Sequence, residues 1–304
     1  MQKIEMFPHA RYIKISGVAC AILCSLGLGI AVALGRLAFD GGTTPLTVAF
    51  FRSLLSMFLM MVVCKIIGLS LRLPAKIWLN MLLLGCLFSH MAYGNVGSTK
   101  YIPISLAALL FFIYPPIVTL INHLIDKTWP TFTKLLSIAV VFLGLGIMLG
   151  VDLGRLDPIG IIIGLTAGLA CAVNIVWISR KVSNLHPFVI VFYQSAISSL
   201  IIGMIVWQLN EFRLPFISAG WLGLILIVVL QSCSIPLFYF AIQRIGAEST
   251  ALINNSQPVA SIMAAILIFG EMLTQERLLG AFMVVGGIIA IQWDDIRNMR
   301  KKAL

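Results

Sequence analysis

Charge is what this sequence has least of: 11% of its 304 residues are Asp, Glu, Lys or Arg, against 60% hydrophobic. Soluble domains carry about 25% charged residues. The polar material that would coat a water-soluble globule is missing, and a mean hydropathy of +1.05 assigns the solvent to lipid. Strict alternation of apolar and polar residues is also missing, which excludes the strands of a membrane barrel. The six cysteines, at 20, 24, 64, 86, 171 and 233, include no CxxC pair and imply no disulfide framework; they are small apolar packing residues. Within the apolar runs there is neither a nucleophile–base pair nor a metal cluster, so an embedded enzyme is not expected. Gly144-Leu145-Gly146 lies inside such a run with no strand before it, which excludes a phosphate loop. No cofactor is expected.

What remains is a series of long apolar runs. They predict ten spans, at 15–35, 45–64, 77–97, 104–125, 135–151, 158–179, 187–209, 219–240, 249–270 and 275–292. A helix crosses a hydrocarbon core about 30 Å thick with about 20 residues. Turn signals separate the runs: Gly41-Gly42 with Pro45, Pro74, Pro130, Asp157-Pro158, His186-Pro187 and Pro215. The first run follows Arg11 and Lys14 as a signal peptide would, but its 21 residues exceed a signal core, and it is assigned as the first span.

The net charge of +10 sits in short basic runs between the spans, with no basic stripe and interleaved aromatics, so nucleic acid is not the expected partner. With a cytoplasmic N-terminus, 15 Lys and Arg fall inside and 5 outside, with Arg52 left within a span. This asymmetry predicts both termini on the cytoplasmic side of a bacterial-type inner membrane.

The two halves repeat at an offset near 143 residues. Phe50-Phe51-Arg52-Ser53 aligns with Phe192-Tyr193-Gln194-Ser195, Lys100-Tyr101-Ile102 with Gln243-Arg244-Ile245, Pro115 with Pro258, and Gly144 with Gly287. Five spans per half would insert the second half upside down, the inverted repeat of many secondary transporters. The predicted organisation is a cytoplasmic segment 1–14, a first repeat 15–151, a second repeat 158–293 and a basic tail 294–304.

On these residues the chain resembles the twice-repeated EamA-type domain of the drug/metabolite transporter superfamily. The likeness runs over Tyr101–Ile147 and Arg244–Ile291, and is clearest in Ala241-Ile242-Gln243-Arg244-Ile245-Gly246-Ala247, Gln257-Pro258, Phe269-Gly270-Glu271 and Leu279-Gly280-Ala281. Arg52 fits the family's first-half pattern. One departure stands out: where span nine ends in Glu271, the first half offers Asp126, two residues out of register, followed by Lys127. The resemblance implies an all-α fold of ten transmembrane helices around a central cavity, and export or exchange of amino acids or other small metabolites.

Candidate cavity residues are the polar side chains inside spans. Arg52 costs at least ~2.5–3.5 kcal/mol at mid-membrane, so it must face other helices or a wet cavity. It either binds a substrate carboxylate or locks helices by hydrogen bonds; Gln194 is its counterpart in span seven. His90 and Tyr93, three apart on span three, share a face, and the superfamily resemblance extends to a His-x-x-Tyr lining the cavity. His90 is the deep side chain whose ordinary pKa lies near neutrality, hence the candidate proton site; with Cys86 it has metal-ligand spacing but no third ligand. Asn174 and Trp177 on span six, Gln231 and Tyr239 on span eight, and Asn254, Asn255 and Gln257 on span nine complete the set. Pro115 and Pro258 are expected to kink spans four and nine. Gly160-x3-Gly164-x3-Gly168 and Gly146-x3-Gly150 are expected helix-packing faces.

The function this predicts is a secondary transporter working by alternating access on a small zwitterionic or anionic metabolite, in a lipid bilayer; a homodimer is compatible with it. Two alternatives stay open: efflux of drugs or cations, for which an embedded carboxylate would be wanted, and a scaffold that transports nothing.

Overall fold

A computed structural model of the chain describes residues 6–150, 156–270, 272 and 274–303. Among them every regular element is helical. The first half comprises α1 (Met6–Asp40), α2 (Pro45–Ile66), α3 (Ala75–Gly97) with a 3-10 turn at Ser98–Lys100, α4 (Ile104–Phe111), α5 (Tyr114–Asp126) and α6 (Phe132–Leu149). The second comprises α7 (Pro158–Lys181), α8 (Pro187–Gln208), α9 (Ser218–Ile245), α10 (Ala247–Asn254), α11 (Gln257–Phe269) and α12 (Gln275–Ala303). Nine stretches of described residues are long and apolar enough to cross a membrane, and α12 takes the place of the tenth expected span.

Several expected turn signals are helix starts. Pro45, Pro158 and Pro187 each occupy the first turn of a helix, where a missing N–H costs nothing. Thr44, Asp157 and His186 cap those helices, the Asp157 carboxylate accepting the Ile159 N–H at 2.8 Å.

Spans four and nine are each broken into an 8-residue and a 13-residue helix. Pro115 and Pro116 supply no N–H to the turn before them, and α4 ends at Phe111; Pro258 does the same to α10. The two expected kinks are therefore full interruptions. The bounds of α10 and α11, Ala247, Asn254, Gln257 and Phe269, each lie 143 positions after Ile104, Phe111, Tyr114 and Asp126. Pro236, inside α9, is a further helix-interior proline that sequence reading passed over.

Packing runs between the halves. α1 lies along α9, α3 along α7, α2 along α8 and α6 along α12, a reciprocal pairing. The start of α1 meets the end of α9, with Gly17 against Arg244 and Ile245, and its end meets the start of α9, with Gly41 against Gly220. We call the end where α1 starts the near end and the other the far end. The outer surface is apolar, with Leu79, Leu143 and Leu267 among its exposed side chains, as lipid requires.

The expected glycine face of α7 is present: Gly168 lets the carbonyls of Leu110 and Phe111 approach at the break in span four. On α6 the expectation is corrected. Gly150 is a left-handed C-cap and Gly146 touches only Leu109, whereas Gly144 makes the close contact, against Gly280 of α12. A Cβ on Gly280 would lie 2.5 Å from the Gly144 carbonyl oxygen, while one on Gly286 would meet nothing within 4 Å. Gly280→Val is therefore expected to destabilise by about 1–3 kcal/mol, read as a lower midpoint of thermal unfolding in detergent, and Gly286→Val to leave that midpoint in place.

Candidate functional site

A chamber of about 460 Å³ runs from the far end to the middle of the bundle. Its mouth is framed by helix ends: Phe39 of α1, Pro45 of α2, Thr99 after α3, Ile104 of α4 and Leu149 of α6. Phe111 and Phe112, at the break in span four, and Gln257 and Pro258, at the break in span nine, form its deep walls with Arg52 and Gln231. Both interruptions thus border one cavity, the setting in which unpaired backbone is tolerated in a membrane.

Arg52 lies seven residues after Pro45 on α2, about 10 Å along the helix. Its guanidinium stacks over the Phe88 ring at 5.3 Å and donates one long hydrogen bond, 3.5 Å, to Gln231 Oε1. Its Nε has no hydrogen-bond partner among the described residues. A guanidinium offers five N–H donors, so this one retains capacity for an anion. Among the described residues no acidic side chain borders the chamber. Beyond Arg52, Gln231 and Gln257, its polar lining is hydroxyl: Thr99 and Ser261.

The other sequence candidates lie elsewhere. His90 is exposed on the outer face of α3, as is Cys86. Phe88 and Ala92 are the residues of α3 that face Arg52 and the chamber, and they sit two positions either side of His90, half a turn away. The expected stripe is therefore split: Cys86 and His90 turn outward, while Tyr93 turns into the bundle. Among the described residues no three His, Cys, Asp or Glu side chains gather as a metal site would need. Tyr93 packs with Leu46, Ala49 and Ile202 between α2 and α8.

Asn174, Gln194 and Tyr239 are buried and joined. The Asn174 and Gln194 amides both donate to the Leu84 carbonyl, at 3.1 and 3.3 Å, and the Tyr239 hydroxyl donates to Gln194 Oε1. Trp177 Nε1–H donates to Asn80 at 3.0 Å. These side chains tie α3, α7, α8 and α9 together on the near side of the chamber. Asn254 bridges the break in span nine: its amide donates to the Tyr114 hydroxyl at 2.9 Å and to Gln257 Oε1 at 3.4 Å, and its oxygen accepts from Ser25 at 3.0 Å. Asn255 is buried in the turn, its Oδ1 without a hydrogen-bond partner among the described residues. Pro115 begins α5 beside this network, away from the chamber lining. Glu271 lies outside the described residues.

Sequence reading missed the near end. There Arg180 of α7 grips Asp126 of α5 through two 2.7 Å contacts and also donates to Asn122. Lys134 of α6 lies 3.0 Å from Glu248 of α10, and His123 of α5 lies 3.9 Å from the same carboxylate. Lys134, His123 and Glu248 are largely buried. Both links join the first half to the second, at the end opposite the chamber mouth. The signal was faint, because each residue stands alone at a helix end and only the fold gathers them.

Residues 15–150 and again 158–293 match the EamA-like transporter family. An uncharacterized transporter of Synechocystis sp. is 24% identical over 204 residues, which span 66% of this chain and 62% of that protein. An uncharacterized transporter of Archaeoglobus fulgidus is 27% identical over 201 residues, 65% of this chain and 70% of its own. A protein of known crystal structure superposes on 94% of this chain and 98% of its own with a TM-score of 0.78 at 14% identity, a likeness of fold.

The near-end pair gives a direct test. Lys134→Glu places two carboxylates together in a largely buried site and is expected to cost about 2–4 kcal/mol, seen as a lower unfolding midpoint. The swap Lys134→Glu/Glu248→Lys is expected to recover most of the loss, and recovery marks a specific pair rather than general tolerance of charge.

Proposed function

Since the chain belongs to the EamA-like transporter family, we propose that it is an exporter or exchanger of amino acids or related small metabolites, working by alternating access in a bacterial-type inner membrane. The observation that carries this reading is the Arg52 chamber: a space of about 460 Å³ that borders both interrupted spans and carries a cation with unused donors. A carboxylate of the substrate would complete the Arg52 hydrogen bonds, and the apolar and aromatic walls would take the rest of a small molecule.

The two halves support an inverted repeat. Five spans in the first half reverse the chain's direction before the second begins, and the reciprocal pairing of α1 with α9 and α3 with α7 suits a two-fold relation lying in the membrane plane. In that scheme the chamber is open at the far end and shut at the near end by the Arg180–Asp126 and Lys134–Glu248 links. The opposite state would break those links and close the helix ends around Phe39 and Ile104. The excess of Lys and Arg at the near end supports a cytoplasmic near end, with both termini inside. The conformer described is then outward-facing. Efflux of organic cations is the weaker reading, since among the described residues the one charged side chain bordering the chamber is the cation Arg52.

The test is a thermal-shift screen of purified protein against amino acids and small organic acids, followed by counterflow of each hit in proteoliposomes. A ligand of the folded state raises the unfolding midpoint as its concentration exceeds its Kd. Arg52→Ala is expected to abolish both the shift and the counterflow while leaving the ligand-free midpoint unchanged or higher, because an unneutralised cation has been removed from the membrane. A lower ligand-free midpoint with the ligand shift intact would make Arg52 a structural residue instead.

A further inference from the structure

A second concavity, larger than the chamber, lies outside it. It is a groove of about 870 Å³ between α1, α11 and α12, open to the bilayer. Along α1 it is lined by Val18, Ile22, Leu26 and Ile30, one residue per turn over about 18 Å of that helix. That is close to one leaflet of hydrocarbon, about 15 Å. Among its described lining residues Ser256 carries the only hydroxyl, and the rest are apolar or tryptophan.

The two ends of the groove differ. At the near end Trp293, 72% exposed, stands at its mouth, and the α1 stripe continues one turn further as Lys14. Tryptophan favours the headgroup level and lysine the phosphate beyond it. The helix that carries Trp293 runs on to Ala303 with Arg297, Arg300, Lys301 and Lys302 in its sequence. At the other end, Leu267 and Ile268 leave only apolar surface. A polar head with a chain of one-leaflet length matches this order of groups.

We infer that the α1–α11–α12 groove is a binding site for one acyl chain of an anionic phospholipid in the near leaflet, its phosphate turned toward Lys14. The site has a consequence for the broken span. Residues Ser256, Val259 and Met263 face the groove while Gln257, Pro258 and Ser261 face the chamber. One helix, α11, separates the two spaces, so the lipid chain lies directly behind the hinge of span nine.

Native mass spectrometry of detergent-purified full-length protein from membranes containing phosphatidylglycerol and phosphatidylethanolamine tests this. One retained phosphatidylglycerol per chain is expected. Val285→Trp, which fills the groove, should lose it; Phe282→Trp, on the same helix outside the lining, should keep it. Lys14→Gln should abolish the preference for phosphatidylglycerol over phosphatidylethanolamine, and it leaves the groove's shape intact should the tryptophan variant misfold. Absence of bound lipid in the unsubstituted protein, equal retention in the two tryptophan variants, or a dimer that Val285→Trp dissociates would each overturn the assignment, the last in favour of a second copy.

Discussion

Hydrocarbon cannot hydrogen-bond, so a helix may be interrupted in a membrane only where protein or water takes over from the missing backbone bonds. Two of the spans here are interrupted at the same point of each repeat, and much of the interior is arranged around them. Gly168 lets α7 close on the carbonyls before Pro115. Asn254 reaches three neighbours, Ser25, Tyr114 and Gln257, across the break before Pro258. The faces of the breaks left unfilled border the chamber, whose polar lining includes Arg52, Gln231 and Gln257. A cavity at mid-membrane follows from where two prolines stand.

The repeats agree in backbone but differ in charge. Arg52 of α2 corresponds to Gln194 of α8, yet the arginine faces open space while the glutamine is buried between the Leu84 carbonyl and the Tyr239 hydroxyl. The near end holds its closed arrangement with ion pairs between halves; the far end, where Lys100 lies 3.5 Å from Glu211, keeps its chamber. If the proposed alternating access holds, this asymmetric filling gives its two states unequal energy. A ligand that meets Arg52 in one of them can shift the balance only by its difference in affinity for the two.

The fold was legible because its signals are long. Runs of about 20 apolar residues, prolines at first turns and a 143-residue repeat survive any error at single positions. The site was legible in part. Arg52, Gln231, Gln257 and Pro258 border the chamber because a polar group deep in a span has few other places to go. His90 failed the same reasoning: periodicity puts residues on one face but does not say which face meets the bundle, and an imidazole is tolerated toward the outside. Asn174, Gln194 and Tyr239 satisfy one another or the Leu84 carbonyl, a pairing that only the contact of α3, α7, α8 and α9 creates. Lys134 and Glu248, 114 residues apart, looked like loop charges until helix ends brought them to 3.0 Å.

Alternating access requires that one chamber at Arg52 be exposed to the two membrane faces in turn. Ala92 borders it without contributing a polar group, so a cysteine there reports access alone. In a background freed of the six native cysteines, Ala92→Cys should react with a membrane-impermeant thiol reagent from the far side. During transport it should also become reactive from the near side. Labelling confined to one face whatever the substrate, while counterflow proceeds, would contradict alternating access through this chamber.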